Sequence, residues 1–392
     1  MKWLICLSLL LLCGSGFPDW SKASDVPEPP PAMQAPGLLD NAVKTKFQNL
    51  TFWQAQWPEK PFWGDDNPLN LSSDSLESDF RLDLVVQLPH LELMFNPRWD
   101  LRWEQWESGR DAGESDTDEE AYVNEWLVRV QPLDTLFLSY GRENLQWGPA
   151  MMLSPSNPFF TGNGKNQPKR EVPGADYARL VWTPDQSWTA SVIVNTDEGR
   201  KQIFTDFDKT GAVKIDYLAE QVYGSLILSK REAGDWRLGG FVSWNLDENT
   251  IVYVEGSGSD DGVEALTGGS YTFPEGSIVT LEYFYNGYGD RSEDLLALLR
   301  AGDWRDTRQL LFRKNYLLLQ YYKQDVFGKW SGMLRWTAGL DDNSSALLGL
   351  FEYNVMDHLQ LFANGTVFRG NNDDELSALL DYQAMIGVEF SF

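Results

Sequence analysis

Tyr382-Gln383-Ala384-Met385-Ile386-Gly387-Val388-Glu389-Phe390-Ser391-Phe392 is the stretch whose reading decides the fold. Every even position is apolar: Tyr382, Ala384, Ile386, Val388, Phe390 and Phe392. The odd positions are polar or small, apart from Met385. A repeat of two places successive side chains on opposite faces of a strand. One face of this strand is therefore greasy and the other wet. A soluble protein rarely finishes on its most apolar strand, so the greasy face is expected to meet lipid.

The pattern resembles the C-terminal signal of Gram-negative outer-membrane β-barrels, which end in Phe and are read by the barrel-insertion machinery. Tyr382, Phe390 and Phe392 carry that resemblance here. It implies an all-β chain closed into an antiparallel transmembrane barrel of the large porin class. The beginning of the chain agrees. Lys2 supplies a positive n-region, Trp3 to Cys13 an apolar h-region, and Gly14-Ser15-Gly16 a small-x-small cleavage site before Phe17. Residues 1–16 are thus expected to be a removable signal peptide, too short to span a membrane. Cys13 follows Leu12, where a lipobox wants a small residue, which argues against a lipid-anchored protein. Both cysteines, Cys6 and Cys13, lie in this segment, so the mature chain has no thiol to oxidise in the periplasm.

Residues 17–43 follow as a periplasmic segment rich in proline (Pro27, Pro29, Pro30, Pro31, Pro36) with no strand pattern. Residues 44–392 form the expected barrel. Beyond the signal no run of about 18 apolar residues occurs, so no helical span is expected. Mean hydropathy is −0.37, yet the chain holds 17 Trp, 15 Tyr and 21 Phe. Low hydropathy with many aromatics is what alternating strands and aromatic girdles produce.

The net charge of −26 excludes a general nucleic-acid binder. Acid concentrates at Asp65, Asp66, Asp74, Glu77 and Asp79, then from Glu107 to Glu120, then at Asp373, Asp374 and Glu375. These stretches read as loops, either simply solvated or bridged to lipopolysaccharide by divalent cations, although none has ordered metal-ligand spacing.

Strands are predicted at 44–57, 78–89, 90–106, 120–131, 134–142, 175–183, 187–196, 211–218, 221–231, 236–247, 249–256, 265–273, 277–287, 315–324, 329–339, 345–353, 358–368 and 380–392. That makes about 18 strands, within a range of roughly 14 to 18. Short links at Pro89-His90, Pro132 to Asp134, Pro184 to Gln186, Ala219-Glu220, Glu248, Pro274 to Gly276, Asp325 to Gly328 and Met356-Asp357 alternate with longer ones at 58–77, 107–119, 143–174, 197–210, 257–264, 288–314 and 369–379. Residues 232–235 and 340–344 are brief exceptions. Short periplasmic turns alternating with long external loops are expected of an outer-membrane barrel; a soluble sandwich has no reason to keep that parity. Closure also pairs every backbone group where no water is available. A barrel this wide holds water or an inserted loop.

Along 80–88, Phe80, Leu82, Leu84, Val86 and Leu88 share one face, and Arg81, Asp83 and Gln87 the other. Along 91–104, Leu91, Leu93, Phe95, Trp99, Leu101 and Trp103 oppose Glu92, Asn96, Arg98, Asp100, Arg102 and Glu104. The charged face is the inner one in a barrel, because Arg or Lys on the lipid face costs about 2–4 kcal/mol at midplane. The inner face is expected to carry Arg81, Arg98, Arg102, Arg129, Arg179 and Arg335 beside Asp83, Glu92, Asp100, Glu104, Glu125 and Glu282. Opposed charges across a narrow channel set a transverse field that selects solutes; alternatively they neutralise one another in salt bridges.

The link 143–174 is the longest. It is apolar first (Met151, Met152, Leu153, Phe159, Phe160) and basic afterwards (Lys165, Lys169, Arg170). Exposed loops do not carry that much grease, so the segment is expected to fold into the barrel and narrow it, with an externally packed loop as the alternative. Gly141-Arg142-Glu143-Asn144-Leu145-Gln146-Trp147-Gly148-Pro149 and Leu153-Ser154-Pro155-Ser156-Asn157-Pro158 resemble a segment of Wzi-type capsule-assembly barrels. The match covers about 20 of the 392 residues. It implies an 18-stranded barrel associated with surface polysaccharide. A second segment, 291–314, predicts a short helix capped by Ser292, with Leu295, Leu298 and Leu299 on one face. Arg300, Arg305, Arg308 and Arg313 follow, as a mouth closure or a basic patch for an anion.

Only two histidines occur, His90 and His358, both at expected periplasmic turns, and no Ser-His pairing is visible. No enzyme, metal or cofactor is expected. The expectation is a porin for small hydrophilic solutes, constricted by 143–174, with a non-conducting barrel that organises surface glycan as the alternative.

Overall fold

A computed structural model describes residues 42–58, 67, 70–160, 162, 164–166, 169–200, 207–289, 311–371 and 373–392. Among them lie 18 strands in one sheet. They are β1 (Val43–Pro58), β2 (Asp74–Leu88), β3 (Leu91–Gln105), β4 (Ser115–Leu133), β5 (Leu136–Glu143), β6 (Ala175–Trp182), β7 (Trp188–Asp197), β8 (Thr210–Leu218), β9 (Val222–Arg231), β10 (Trp236–Asn245), β11 (Thr250–Ser259), β12 (Gly262–Thr272), β13 (Ser277–Asn286), β14 (Asn315–Val326), β15 (Trp330–Gly339), β16 (Ser345–Met356), β17 (Leu359–Arg369) and β18 (Leu380–Ser391). Each pairs antiparallel with its chain neighbours, and β1 pairs with β18 from Gln48↔Ser391 to Pro58↔Leu380. That last ladder closes the barrel and removes both sheet edges. The expected count and closure both hold. The predicted signal peptide and most of the proline-rich segment lie outside the described residues.

The links alternate as expected, short at one end and mostly long at the other. His90 takes a left-handed φ of 63° in the two-residue turn between β2 and β3, and its Nδ1 lies 3.1 Å from the Gln131 carbonyl. One long link is corrected. Residues 257–264 are not a loop: β11 and β12 run on as a paired hairpin, Ser259↔Gly262, around Asp260 and Asp261. Likewise β2 begins at Asp74 and β4 at Ser115, earlier than their patterns start. The added part of β4, Ser115 to Glu120, is exposed on both faces, and those of β2 and β11 turn the polar Ser75, Glu77 and Ser257 inward, so none of the three carries a clear alternation in hydropathy.

Outside, aliphatic side chains form a continuous belt. Val128, Leu138, Leu180, Val192, Val213, Leu226, Leu238, Val242 and Val254 are all exposed. Trp182, Trp188, Tyr217, Trp236, Trp244 and Trp330 add exposed aromatics near strand ends, as bilayer interfaces favour. In β1 and β2 the polar Asn49, Thr51 and Ser78 share this outer face, but they bond one another. Asn49 Nδ2 donates to Ser78 Oγ at 3.2 Å, Thr51 Oγ1 to Asn49 Oδ1 at 3.2 Å, and the Thr51 and Ser78 hydroxyls are 2.8 Å apart.

β18 shows the period of two directly. Tyr382 and Ile386 are exposed, Gln383 is buried, and Glu389 reaches into the lumen. The apolar exception, Met385, packs inside with Leu50, Phe52 and Phe362. Phe392 exchanges two backbone hydrogen bonds with Phe47, at 2.8 and 3.1 Å, and its ring stacks on His358.

Candidate functional site

Of the segment between β5 and β6, the described residues (144–160, 162, 164–166 and 169–174) turn into the barrel. Ala150, Met151, Met152, Leu153 and Phe159 are all buried. Ala150, Met152 and Leu153 join inward residues of β11–β14: Tyr253, Leu266, Phe284, Tyr316 and Leu318. Leu145 and Phe159 join Tyr177, Ile193, Ala212 and Ile227 on β6–β9. The infolded arrangement is therefore the one adopted.

A backbone taken inside a protein must hand its N–H and C=O groups to partners. Two wall carboxylates receive them. Glu282 on β13 accepts the N–H of Met151 at 2.5 Å and of Met152 at 2.8 Å, together with the Tyr253 hydroxyl at 2.5 Å. Glu255 on β11 accepts the hydroxyls of Ser154 at 2.5 Å and Ser156 at 2.7 Å, and the Ser156 N–H at 3.2 Å. Asn157 closes the turn, donating to the Leu145 carbonyl at 2.9 Å and accepting from Phe159 N–H at 3.0 Å. Gly148 has φ +89°, and a Cβ there would sit 2.4 Å from Glu255 Oε2. Gly141 is as tight, its Cβ position 2.1 Å from the Trp126 carbonyl oxygen. Arg142 donates to Asp176 at 2.7 Å and to the Val123 carbonyl at 3.2 Å. Residues of the Gly141–Pro149 and Leu153–Pro158 segments thus shape and dock this loop.

The returning limb binds the rest of the wall. Lys165 Nζ donates to Gly148 O within the loop at 3.1 Å, and Arg335 on β15 donates to the Lys165 carbonyl at 3.0 Å. Lys169 reaches Glu352, Gln360 and Glu389 on β16, β17 and β18. Arg170 pairs with Glu77 on β2 at 2.8 Å and lies over the Phe52 ring. Glu171 takes Arg98 of β3 at 2.5 and 2.7 Å. Both ends of the loop come from β5 and β6, yet its contacts extend round to β11–β18 and back to β1–β3.

All six arginines expected on the inner face find acceptors. Arg81 pairs with Asp79, Arg98 with Asp83 and Glu171, Arg102 with Glu77, Arg129 with Glu92 and Arg179 with Glu143. Arg335 donates to Gln320 at 2.9 Å. Among the acids, Asp100 stands in register with Asp79 and Glu120 across β2–β4. Glu104 accepts the Ser72 hydroxyl at 3.0 Å, and Glu125 the Asn144 N–H at 2.8 Å. The interior is unevenly wet. The β6–β14 side is dry under the loop. On β2 and β3 the side chains of Asp83 and Arg102 are 35% and 41% exposed.

Three expectations about charge are corrected. Asp74, Glu77 and Asp79 are not in a solvated loop; they lie on β2, with Glu77 and Asp79 buried against arginines. Nor are Asp374 and Glu375 solvated, because their loop folds under. Glu375 accepts Phe312 N–H at 2.8 Å, Arg313 N–H at 3.2 Å and the Tyr316 hydroxyl at 2.5 Å. Burial pushes its carboxyl up to about 7. Arg313 is no part of an open basic patch: it is fully buried, with Nε 2.9 Å from Asp342. Burial raises the Asp342 carboxyl, but donation from Glu375 N–H, Ser344 and Arg313 outweighs it and holds the group below its usual range. The predicted helix after Ser292 lies outside the described residues. Among the described residues no group of three or more His, Cys, Asp or Glu is placed to hold a metal.

Sequence reasoning missed Glu255 as a docking group. Its signal was a lone acid at an inward position between Tyr253 and Ser257.

Solved barrels share this architecture. Pseudomonas aeruginosa OprD superposes with a TM-score of 0.57 at 11% identity, over 92% of this chain and 97% of that one. Acinetobacter baumannii OccAB1 gives 0.62 at 12% identity, over 92% and 99%. Acinetobacter baumannii OccAB3 gives 0.59 at 10% identity, over 89% and 99%. At such identities the likeness shows the fold, a large outer-membrane-type barrel. No protein-family model and no curated protein matches the sequence.

Proposed function

We propose that this chain is a porin of the Gram-negative outer membrane, through which small hydrophilic solutes diffuse down their gradients past the constriction made by 143–174. The observation that carries this reading is the division of the lumen. An apolar loop limb is buried on one side, while a wall of paired charges with partly exposed Asp83 and Arg102 remains on β2–β5. A solute moving between them meets ions fixed on rigid strands, with water beside them.

In this reading the C-terminal strand, with Tyr382, Phe390 and Phe392, addresses the chain to the insertion machinery. The long-loop end faces lipopolysaccharide. Arg81, Arg98, Arg102, Arg129, Asp100, Glu104, Glu125, Lys169 and Arg170 line or shape the constriction. The glycan-organising alternative rests on the Wzi-like motif, and those residues are taken up in holding the loop. No separate observation favours it.

The test is purified protein in a planar bilayer and in liposomes. Discrete, ohmic conductance steps and swelling in small sugars or amino acids are expected. A folded barrel that stays electrically silent and passes no solute overturns the reading.

A further inference from the structure

The Lys169 ammonium sits in a cage built by the wall. Glu352 Oε1 is 2.7 Å away, Glu389 Oε2 2.9 Å and Gln360 Oε1 2.6 Å. These are three acceptors for the three N–H donors of an ammonium. The Phe362 ring lies beneath, its centroid 5.1 Å from Nζ, at cation–π distance. Gln48 donates to the other Glu389 oxygen at 2.6 Å, which fixes that carboxylate's orientation. Every acceptor belongs to a strand, β16, β17 or β18, and Gln48 on β1 orients one of them, whereas the cation is delivered by the loop. Lys169 reaches the cage with φ +66°, an uncommon conformation for a residue with a side chain. Two carboxylates surround the ammonium, and Arg81, which donates to the Lys169 carbonyl at 3.1 Å, has its own partner in Asp79.

We propose that this cage is a recognition subsite for the primary ammonium group of a permeating solute, with Lys169 as its built-in occupant. The inference rests on the diffusion reading above. The geometry defines the class. Acceptors converging on one point suit R–NH3+. A guanidinium needs a planar fork, and a quaternary ammonium has no N–H to offer. A solute ammonium takes the same three oxygens, displaces Lys169 and frees the adjoining Arg170–Glu171 limb. Its competitor is tethered, at an effective concentration on the order of mM, so exchange in the native protein is weak and reversible, as passage requires.

The experiment empties the cage with Lys169→Ala, with Lys169→Met held in reserve because it keeps the stem if Ala fails to fold. The full-length barrel in detergent is titrated calorimetrically with n-butylammonium, and with tetramethylammonium as the control lacking donors. The emptied cage is expected to bind butylammonium at least tenfold tighter than tetramethylammonium, and tighter than the native protein does. Adding Glu352→Gln and Glu389→Gln should abolish the preference. Equal binding of the two cations, or none, overturns the proposal. Calorimetry decides this whether or not the barrel conducts, so silence in a bilayer defeats the diffusion reading without deciding the cage.

Discussion

Glu282 holds the first limb of the loop, and replacing it gives a measurable consequence. The Glu282→Ala side chain no longer accepts the N–H groups of Met151 and Met152. Hydrogen bonds to a charged group contribute about 1.5–3 kcal/mol each, and each stranded N–H costs about as much again if it stays buried. Relief of the carboxylate's own desolvation, several kcal/mol for an ion in such a site, offsets part of the loss. The net weakening of docking is about 2–4 kcal/mol, which shifts the ratio of docked to released loop by roughly 30- to 1,000-fold. Glu282→Gln keeps one acceptor and should fall about midway. Single-channel recording reads the outcome: larger mean conductance and more frequent sublevel transitions in the Ala variant, fewer in Gln, none in the native protein. Heat-modifiable migration on gels, retained in all three, reports an intact barrel. An Ala variant that folds and shows native conductance and native noise refutes the claim that this carboxylate holds the loop.

Gly148→Ala should act in the same direction, because φ +89° and a Cβ 2.4 Å from Glu255 Oε2 cannot both be tolerated; a strained left-handed residue costs about 1–3 kcal/mol, read again as channel noise. Val254→Arg places a charge on the lipid-facing belt and should destabilise the barrel by about 2–4 kcal/mol in a urea titration from vesicles. The contact of Glu375 with Phe312, Arg313 and Tyr316 should loosen as pH rises. Glu375 carries a carboxyl raised to about 7 from 4.5, so the folded loop binds the extra proton and its stability falls between about pH 4.5 and 7. Amide exchange at Phe312 and Arg313, corrected for intrinsic rate, should be faster at pH 8 than at pH 5.5, and a Glu375→Gln variant should lose that dependence.

The barrel was legible because lipid leaves a simple trace in sequence. An outer face that is mainly apolar, opposed to an inner face that accepts polar and charged groups, writes a period of two into β2, β3 and β18. Turns such as Pro89-His90 mark where it breaks. The trace fades where lipid ends. Ser257-Gly258-Ser259 and Asp116 to Glu120 are strand in the fold, yet neither stretch alternates in hydropathy, and a strand without alternation looks like a loop. The same reasoning misplaced Glu77 and Glu375, since acidity alone suggested solvent.

The inner wall was legible in kind but not in pairing. Parity alone sent Arg98 inward; it did not say that Glu171, 73 residues away, would be waiting there. That contact depends on how far the loop travels across the lumen, which no local period encodes. Nor did a lone inward acid reveal whether it would meet water, an arginine or a backbone. Glu92, Glu104 and Glu282 share inward parity, yet one pairs with Arg129, one takes a serine hydroxyl and one receives a peptide segment. What separates them is whether a loop arrives at their height in the barrel. The loop's own grease is the best clue to that. Met151 to Leu153 demand a dry wall, the dry wall of this barrel is β11–β14, and a backbone brought there needs acceptors. Glu255 and Glu282 meet that need, which makes them docking groups first and pore charges only if the loop leaves.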